Sequence, residues 1–160
     1  MRKLTEDERR LCSQQAQIFE ESVDTSSCGS AVFVRRFMHS SLARRMDSQP
    51  IPLEQAPIHQ LVKDVDDEFG DPYGSEAYSP EEMHWMGYLY RYWCCAAGKT
   101  SKAVYRIVGA REMHGLYTAY HTLDPAQAIE RILESKGWRS SPPNIEYAVV
   151  RMREIRAKRQ

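Results

Sequence analysis

The sequence predicts an all-α protein, a compact multi-helix bundle or orthogonal array of about six to seven helices. Three observations favour this class. Apolar residues recur every three or four positions along most of the chain, which is the spacing of one helix face. Helix-capping residues precede several of these segments, and glycine often follows them. The connections between segments are short, as in helical bundles.

Composition and charge limit the function classes. The chain has 160 residues, of which 42% are hydrophobic and 28% charged, so we expect a single helical domain over residues 1–160. Its 22 basic and 22 acidic residues cancel, and any nucleic-acid binding must therefore depend on local patches. The start of the chain is polar, and no apolar run reaches the roughly 18 residues of a membrane span. We expect a cytoplasmic protein with reduced cysteines and no membrane partner.

A capping box opens the first predicted helix. Thr5 and Glu8 have the Thr-x-x-Glu spacing, and the apolar residues after them predict a helix to about Val23. The next apolar stripe predicts one helix over 30–46 with a basic outer side. Residues 31–34 also fit a short strand, so both interpretations stay open there.

Two linkers flank the next predicted helix. Prolines near 47–53 predict an extended segment, because proline blocks helix and restricts the residue before it. Apolar spacing then predicts a helix over 58–69 with an acidic exposed side. A second linker with glycine and proline follows at 70–78.

The clearest helix boundaries lie in the second half of the chain. Ser79, Pro80 and Glu82 supply an N-cap, a first-turn proline and a capping-box glutamate, and Gly98 supplies the matching stop. These residues predict a helix over 81–97.

Four more elements complete the predicted chain. Short helices are expected over 101–108 and 111–120, and a capped helix over 124–137. A last helix begins near Asn144 and runs into a basic C-terminal tail at 151–160.

The helix over 81–97 carries five large aromatic side chains: Trp85, Tyr88, Tyr90, Tyr92 and Trp93. A helix that is apolar nearly all round is usually buried, but tyrosine and tryptophan also line grooves for partners or flat ligands. Gly87 permits the close approach of another segment. A buried Arg91 requires a carboxylate or carbonyl, and we expect a structural ion pair.

The sequence does not contain the residue spacings that known catalytic and metal-binding motifs require. Gly98-Lys99-Thr100 matches the end of a phosphate-binding loop, but the earlier glycine would fall at position 93, which is Trp93. The five histidines and four cysteines have no zinc-site spacing, and no glycine-framed nucleophile is present. We expect no metal, no cofactor and no enzymatic activity.

The segment 88–108 has the outline of a helix-turn-helix, although any antiparallel helix pair gives this outline. Basic residues in or near its second helix can face phosphates: Lys99, Lys102 and Arg106. Nucleic-acid binding is therefore an alternative hypothesis, to which Arg35, Arg36 and the basic tail can contribute.

Four segments carry a likeness to known proteins: Phe33–Met38, Tyr88–Trp93, Ser101–Tyr105, and Tyr120–Pro125 with Ala128–Glu130. In these segments the chain resembles a poorly characterised family of small bacterial proteins associated with toxin-antitoxin neighbourhoods, on the antitoxin side. The resemblance implies binding of a cognate toxin. It implies no catalytic residues.

The preferred hypothesis is an antitoxin-type interaction protein that covers the active cleft of a cognate toxin. The alternatives are a nucleic-acid-binding regulator, and a small-ligand protein or enzyme in which His84, Arg91 and His121 converge. The candidate partner-binding residues are Arg35, Arg36, Trp85, Tyr88, Arg91, Tyr92, Tyr120 and His121.

Overall fold

The computed structural model describes residues 1–48, 54–138 and Arg156. Within these ranges the chain forms nine α-helices and no strand, so the all-α class is confirmed and the predicted count of six to seven is too low. The helices are α1 (Glu6–Thr25), α2 (Ser30–Met38), α3 (Ser41–Asp47), α4 (Ile58–Glu68), α5 (Pro80–Ala97), α6 (Ser101–Ile107), α7 (Ala110–Gly115), α8 (Tyr117–Tyr120) and α9 (Pro125–Ser135).

Some of the predicted elements lie partly or wholly outside the described residues. Apart from Arg156, the helix from Asn144 and the basic tail lie outside the described residues, as does most of the linker at 47–53. The chain divides into two units, Met1–Ala128 and Ile129–Gln160. The single-domain organisation stays a prediction, and the candidate site residues all lie in the first unit.

Two predicted helices are each divided in the structure, which accounts for the higher count. The helix over 30–46 breaks at Ser40, whose extended backbone (ψ 162°) makes it the N-cap of α3. Its hydroxyl accepts the Ala43 N–H. The helix over 111–120 divides at Leu116, whose N–H donates to the Met113 carbonyl in a tighter three-residue turn. Residues 31–34 lie in α2, so the strand alternative is wrong.

The predicted caps of α1 and α5 are confirmed. The Thr5 hydroxyl accepts the Glu8 N–H while the Glu8 carboxylate accepts the Thr5 N–H at 2.9 Å. Ser79 and Glu82 form the same reciprocal pair at α5. Gly98 ends α5 with φ +61°, a left-handed conformation that glycine adopts without steric cost.

Helices α1 and α5 form the most extensive helix pair in the described part of the chain. They touch through backbone at Gly87, where an added Cβ would lie 2.8 Å from the Gln15 carbonyl oxygen and 2.8 Å from the Phe19 ring. It would also lie 3.0 Å from Ala16 Cα. The close approach predicted at Gly87 is thus confirmed, with α1 as the neighbouring segment.

A cluster of aromatic rings fills the core beside this contact. The Phe19 ring meets Phe37 edge-on at 5.0 Å and Phe33 at 6.0 Å, and Tyr90 from α5 lies 6.3 Å away. All four side chains are fully buried. Such pairs add to the free energy gained from apolar burial and fix the ring orientations. The cluster therefore joins α1, α2 and α5.

We expect Gly87→Ala to lower the free energy of unfolding by about 1–3 kcal/mol, because the methyl group overpacks a backbone contact. Urea unfolding followed by circular dichroism measures the change. Gly115→Ala is the matched control, since a Cβ there meets nothing within 4 Å. Equal stability of the two variants would contradict the close packing of α1 on α5.

Candidate functional site

The aromatic residues of α5 divide between the core and the surface. Trp93 is 1% exposed and Tyr90 is fully buried, with its hydroxyl donating to the Val108 carbonyl at 2.8 Å. Trp85, Tyr88 and Tyr92 are half-buried. The two alternatives from the sequence, a buried core helix and a contact surface, therefore each describe one side of α5.

The half-buried rings of α5 continue into α8. The Trp85 ring meets the Tyr117 ring edge-on at 5.6 Å, and Tyr117 stacks on His121 at 4.3 Å. Tyr88 and Tyr92 stack at 6.4 Å. We name this set of side chains the aromatic strip; its members are Trp85, Tyr88, Tyr92, Tyr117 and His121. Tyr120, the last residue of α8, is half-buried.

Tyr88 and Tyr92 rest on a small apolar cluster: Leu4, Cys12, Cys95 and Ala96. Desolvation raises the pKa of both tyrosines, so their hydroxyls stay protonated and able to donate hydrogen bonds at neutral pH. Arg9 and Asp124 influence the same two hydroxyls electrostatically. The strip thus combines an apolar base, hydrogen-bond donors and charges of both signs nearby.

Arg91 lies on the buried side of α5. Its side chain is 1% exposed, and its guanidinium donates to Gln15 Oε1 at 2.7 Å, Asp47 Oδ1 at 2.8 Å and Ser101 Oγ at 2.8 Å. We call these four residues the polar node. It fixes α1, α3, α5 and α6 to one another, as a buried guanidinium needs partners for its donors.

Asp47 completes the polar node from the end of α3. Its carboxylate accepts the Ser101 hydroxyl at 2.6 Å and the Ser101 N–H at 3.0 Å. The structural ion pair expected for Arg91 is present. Arg91 was also a candidate partner-binding residue, but its enclosure removes it from any contact surface.

A small cavity of about 160 Å³ adjoins the polar node. Cys94 and Cys95 line it together with Asp47, Arg91 and Lys99. A hydrogen bond from Cys12 lowers the pKa of Cys95 against the opposing effect of burial, whereas burial raises the pKa of Cys94 to about 11. Among the residues that the structure describes, no group of His, Cys, Asp or Glu side chains can hold a metal ion.

The two neighbouring arginines of α2 have different roles. Arg36 is 6% exposed and donates to the carbonyls of Gly70 at 3.0 Å and Asp71 at 2.7 Å. The basic outer side predicted for the helix over 30–46 therefore does not include Arg36, which is buried and holds the linker at 70–78 against α2. Arg35 is exposed, and its guanidinium donates to the Tyr73 hydroxyl.

Three basic residues of the nucleic-acid hypothesis are exposed, and their side chains make no hydrogen bond or ion pair to any described residue: Lys99, Lys102 and Arg106. Lys102 and Arg106 stand one turn apart on α6. They remain available to phosphates.

The enzyme hypothesis required His84, Arg91 and His121 to converge, and the structure does not bring them together. His84 is exposed and bonds Glu20 at 2.9 Å, while His121 Nδ1 bonds the Tyr117 carbonyl one turn earlier. The guanidinium of Arg91 is enclosed by the polar node.

The sequence analysis did not identify two residues that are important in the structure, Tyr117 and Asp47. Tyr117 connects Trp85 to His121, and its position four residues before His121 was the available sign. Asp47 had no local sign, because it is 44 residues from Arg91.

Comparison with protein-family models, curated proteins and solved structures gives no match to this chain. The antitoxin resemblance therefore stays a prediction. None of the described helices is long and apolar enough to cross a membrane.

We expect Asp47→Ala to destabilise the protein by about 3–5 kcal/mol, because it leaves the buried Arg91 charge without its carboxylate. The Arg91→Met, Asp47→Ala double variant should lose less than the sum of the two single variants. Urea unfolding of all four proteins gives the coupling energy.

Asp47→Asn is the milder variant, since its amide oxygen still accepts from Ser101 while the charge is lost. Additive effects in the double-variant cycle would show that Arg91 and Asp47 do not act as a pair.

Proposed function

We propose that the protein is an antitoxin-type interaction protein that binds a cognate toxin through the aromatic strip. One observation carries the proposal: five aromatic or imidazole side chains, none of them buried, lie along one stripe of α5 and at both ends of α8, and they contact one another in pairs. The resemblance to antitoxin-side bacterial proteins supports a toxin as the partner.

The physical chemistry of the strip suits a protein interface. Tyrosine and tryptophan give large contact areas with few rotatable bonds, and they are enriched among residues that dominate binding energy. Here the rings already contact one another in pairs, so binding requires little further ordering. Arg9 and Asp124 supply charges for a polar rim.

Neutralisation follows by steric exclusion. A rigid aromatic ridge that enters a toxin's active cleft blocks access of the toxin's substrate and requires no catalytic group on this chain. The absence of a convergent His84, Arg91 and His121 site is compatible with such a role.

We expect Tyr88→Ala, Tyr92→Ala to raise the dissociation constant of the complex at least about tenfold, because both rings are proposed anchors. The partner is the product of the neighbouring gene, co-expressed and purified with this chain. Calorimetry measures affinity, and rescue of growth measures neutralisation.

Two further variants separate binding from folding. Tyr88→Leu, Tyr92→Leu keeps apolar contact with the underlying cluster and should also weaken binding. Trp138→Ala, which removes a 50% exposed aromatic ring outside the strip, should leave affinity unchanged. No complex and no rescue with the unaltered chain would overturn the proposal.

Nucleic-acid binding is the second candidate, favoured by exposed basic side chains on and beside α6 that pair with no residue in the described part of the chain. We expect Lys102→Gln, Arg106→Gln to weaken retention of upstream DNA in a gel-shift titration. The slope of log K against log salt should become less steep by about one unit for each phosphate that the variant no longer neutralises.

The matched control is Lys3→Gln, Lys63→Gln, which removes two exposed charges elsewhere that pair with no described residue. Equal loss in both double variants would indicate a general charge effect and contradict a site on α6.

A further inference from the structure

A cleft of about 480 Å³ opens between α2, the linker at 70–78 and the junction of α6 with α7. Its apolar wall consists of small side chains, among them Val32 and Ala110. Tyr73 and Tyr105 contribute rings. The volume lies within the range of roughly 300–1,000 Å³ that is typical of small-molecule sites.

The cleft carries two guanidinium groups. Arg35 is exposed and fixed in place, because it donates to the Tyr73 hydroxyl and lies 5.7 Å from the centre of the same ring. Arg111, at the start of α7, is exposed with no hydrogen bond or ion pair to any described residue. Glu112 is the one carboxylate among the lining residues, so cationic side chains predominate.

The tyrosine rings are positioned before any ligand enters. Tyr73 is 50% exposed, and its ring is also approached by Arg36 at 5.4 Å. Tyr105 meets the His39 ring edge-on at 5.2 Å. A ring held by its neighbours offers a stacking surface at low entropic cost.

We propose that this cleft binds a nucleotide unit, with the base against the tyrosine rings and the phosphate on Arg111 and Arg35. Guanidinium groups bind phosphate through paired, charge-assisted hydrogen bonds. A planar base matches the rings and the small apolar wall. A free amino acid offers one carboxylate and, in most cases, no extended ring, so it leaves an arginine and a tyrosine unused.

Two sources can supply this chemistry, namely a free mononucleotide or one residue of a single-stranded nucleic acid. The site uses α2, α6 and α7, whereas the proposed toxin-binding strip uses α5 and α8. The inference therefore does not depend on the proposed function, and each can fail without the other.

Calorimetric titration of the full chain with AMP, adenosine, inorganic phosphate and single-stranded hexa-adenylate tests the proposal. We expect AMP to bind at least about tenfold more tightly than adenosine or phosphate, because only AMP uses both parts of the cleft. Tighter, strongly salt-dependent binding of the hexamer assigns the site to single strands. Hexamer affinity no greater than that of AMP assigns it to free nucleotides.

Gly109→Val fills the cleft with little disturbance of the fold. The residue has φ −72°, open to any side chain, and an added Cβ meets only the Tyr105 hydroxyl region at 3.9 Å. We expect at least tenfold weaker AMP binding, and a similar loss in Arg111→Gln. Gly115→Val, on the same helix but not lining the cleft, should bind as the unaltered chain does.

Circular dichroism and thermal unfolding establish that each variant is folded. Failure of AMP and hexa-adenylate to bind the unaltered chain would overturn the proposal. Binding that survives in Gly109→Val would overturn it equally, since the nucleotide would then lie elsewhere.

Discussion

The close approach of α1 and α5 at Gly87 is the constraint on which the rest of the unit depends. Because no side chain separates the two backbones there, Gln15 of α1 reaches the guanidinium of Arg91, one turn further along α5. Arg91 also donates hydrogen bonds to Asp47 at the end of α3 and to Ser101 at the start of α6. A single steric contact thus aligns a buried polar network that joins four helices.

This arrangement also determines which side of α5 meets solvent. The side of α5 that carries Gly87, Tyr90, Arg91 and Trp93 packs in the core. The other aromatic residues of α5 are therefore half-exposed and form part of the strip. The same helix is therefore both a structural centre and a contact surface. Its rings are held by one another and by the apolar cluster beneath them, which keeps the surface ordered.

A second surface arises where α2 packs beside the linker and α6. Arg36 turns inward to bind the linker carbonyls, and Arg35 stays outside against Tyr73. Adjacent residues on a helix project about 100° apart, so two neighbouring arginines can serve packing and surface chemistry separately. The inward arginine holds the linker that carries Tyr73, and this ring forms part of the cleft.

The sequence by itself determined the all-α class, the start of α1 and both ends of α5, because capping boxes, proline and glycine act on backbone within a few residues. It also indicated that Gly87 permits close approach and that a buried Arg91 needs a carboxylate or carbonyl, with an ion pair expected. Only the tertiary structure decided that Asp47 is this carboxylate, that Arg36 is buried, and that Ser40 begins a separate helix. Partner choice and burial depend on contacts between helices far apart in sequence, which local patterns do not encode.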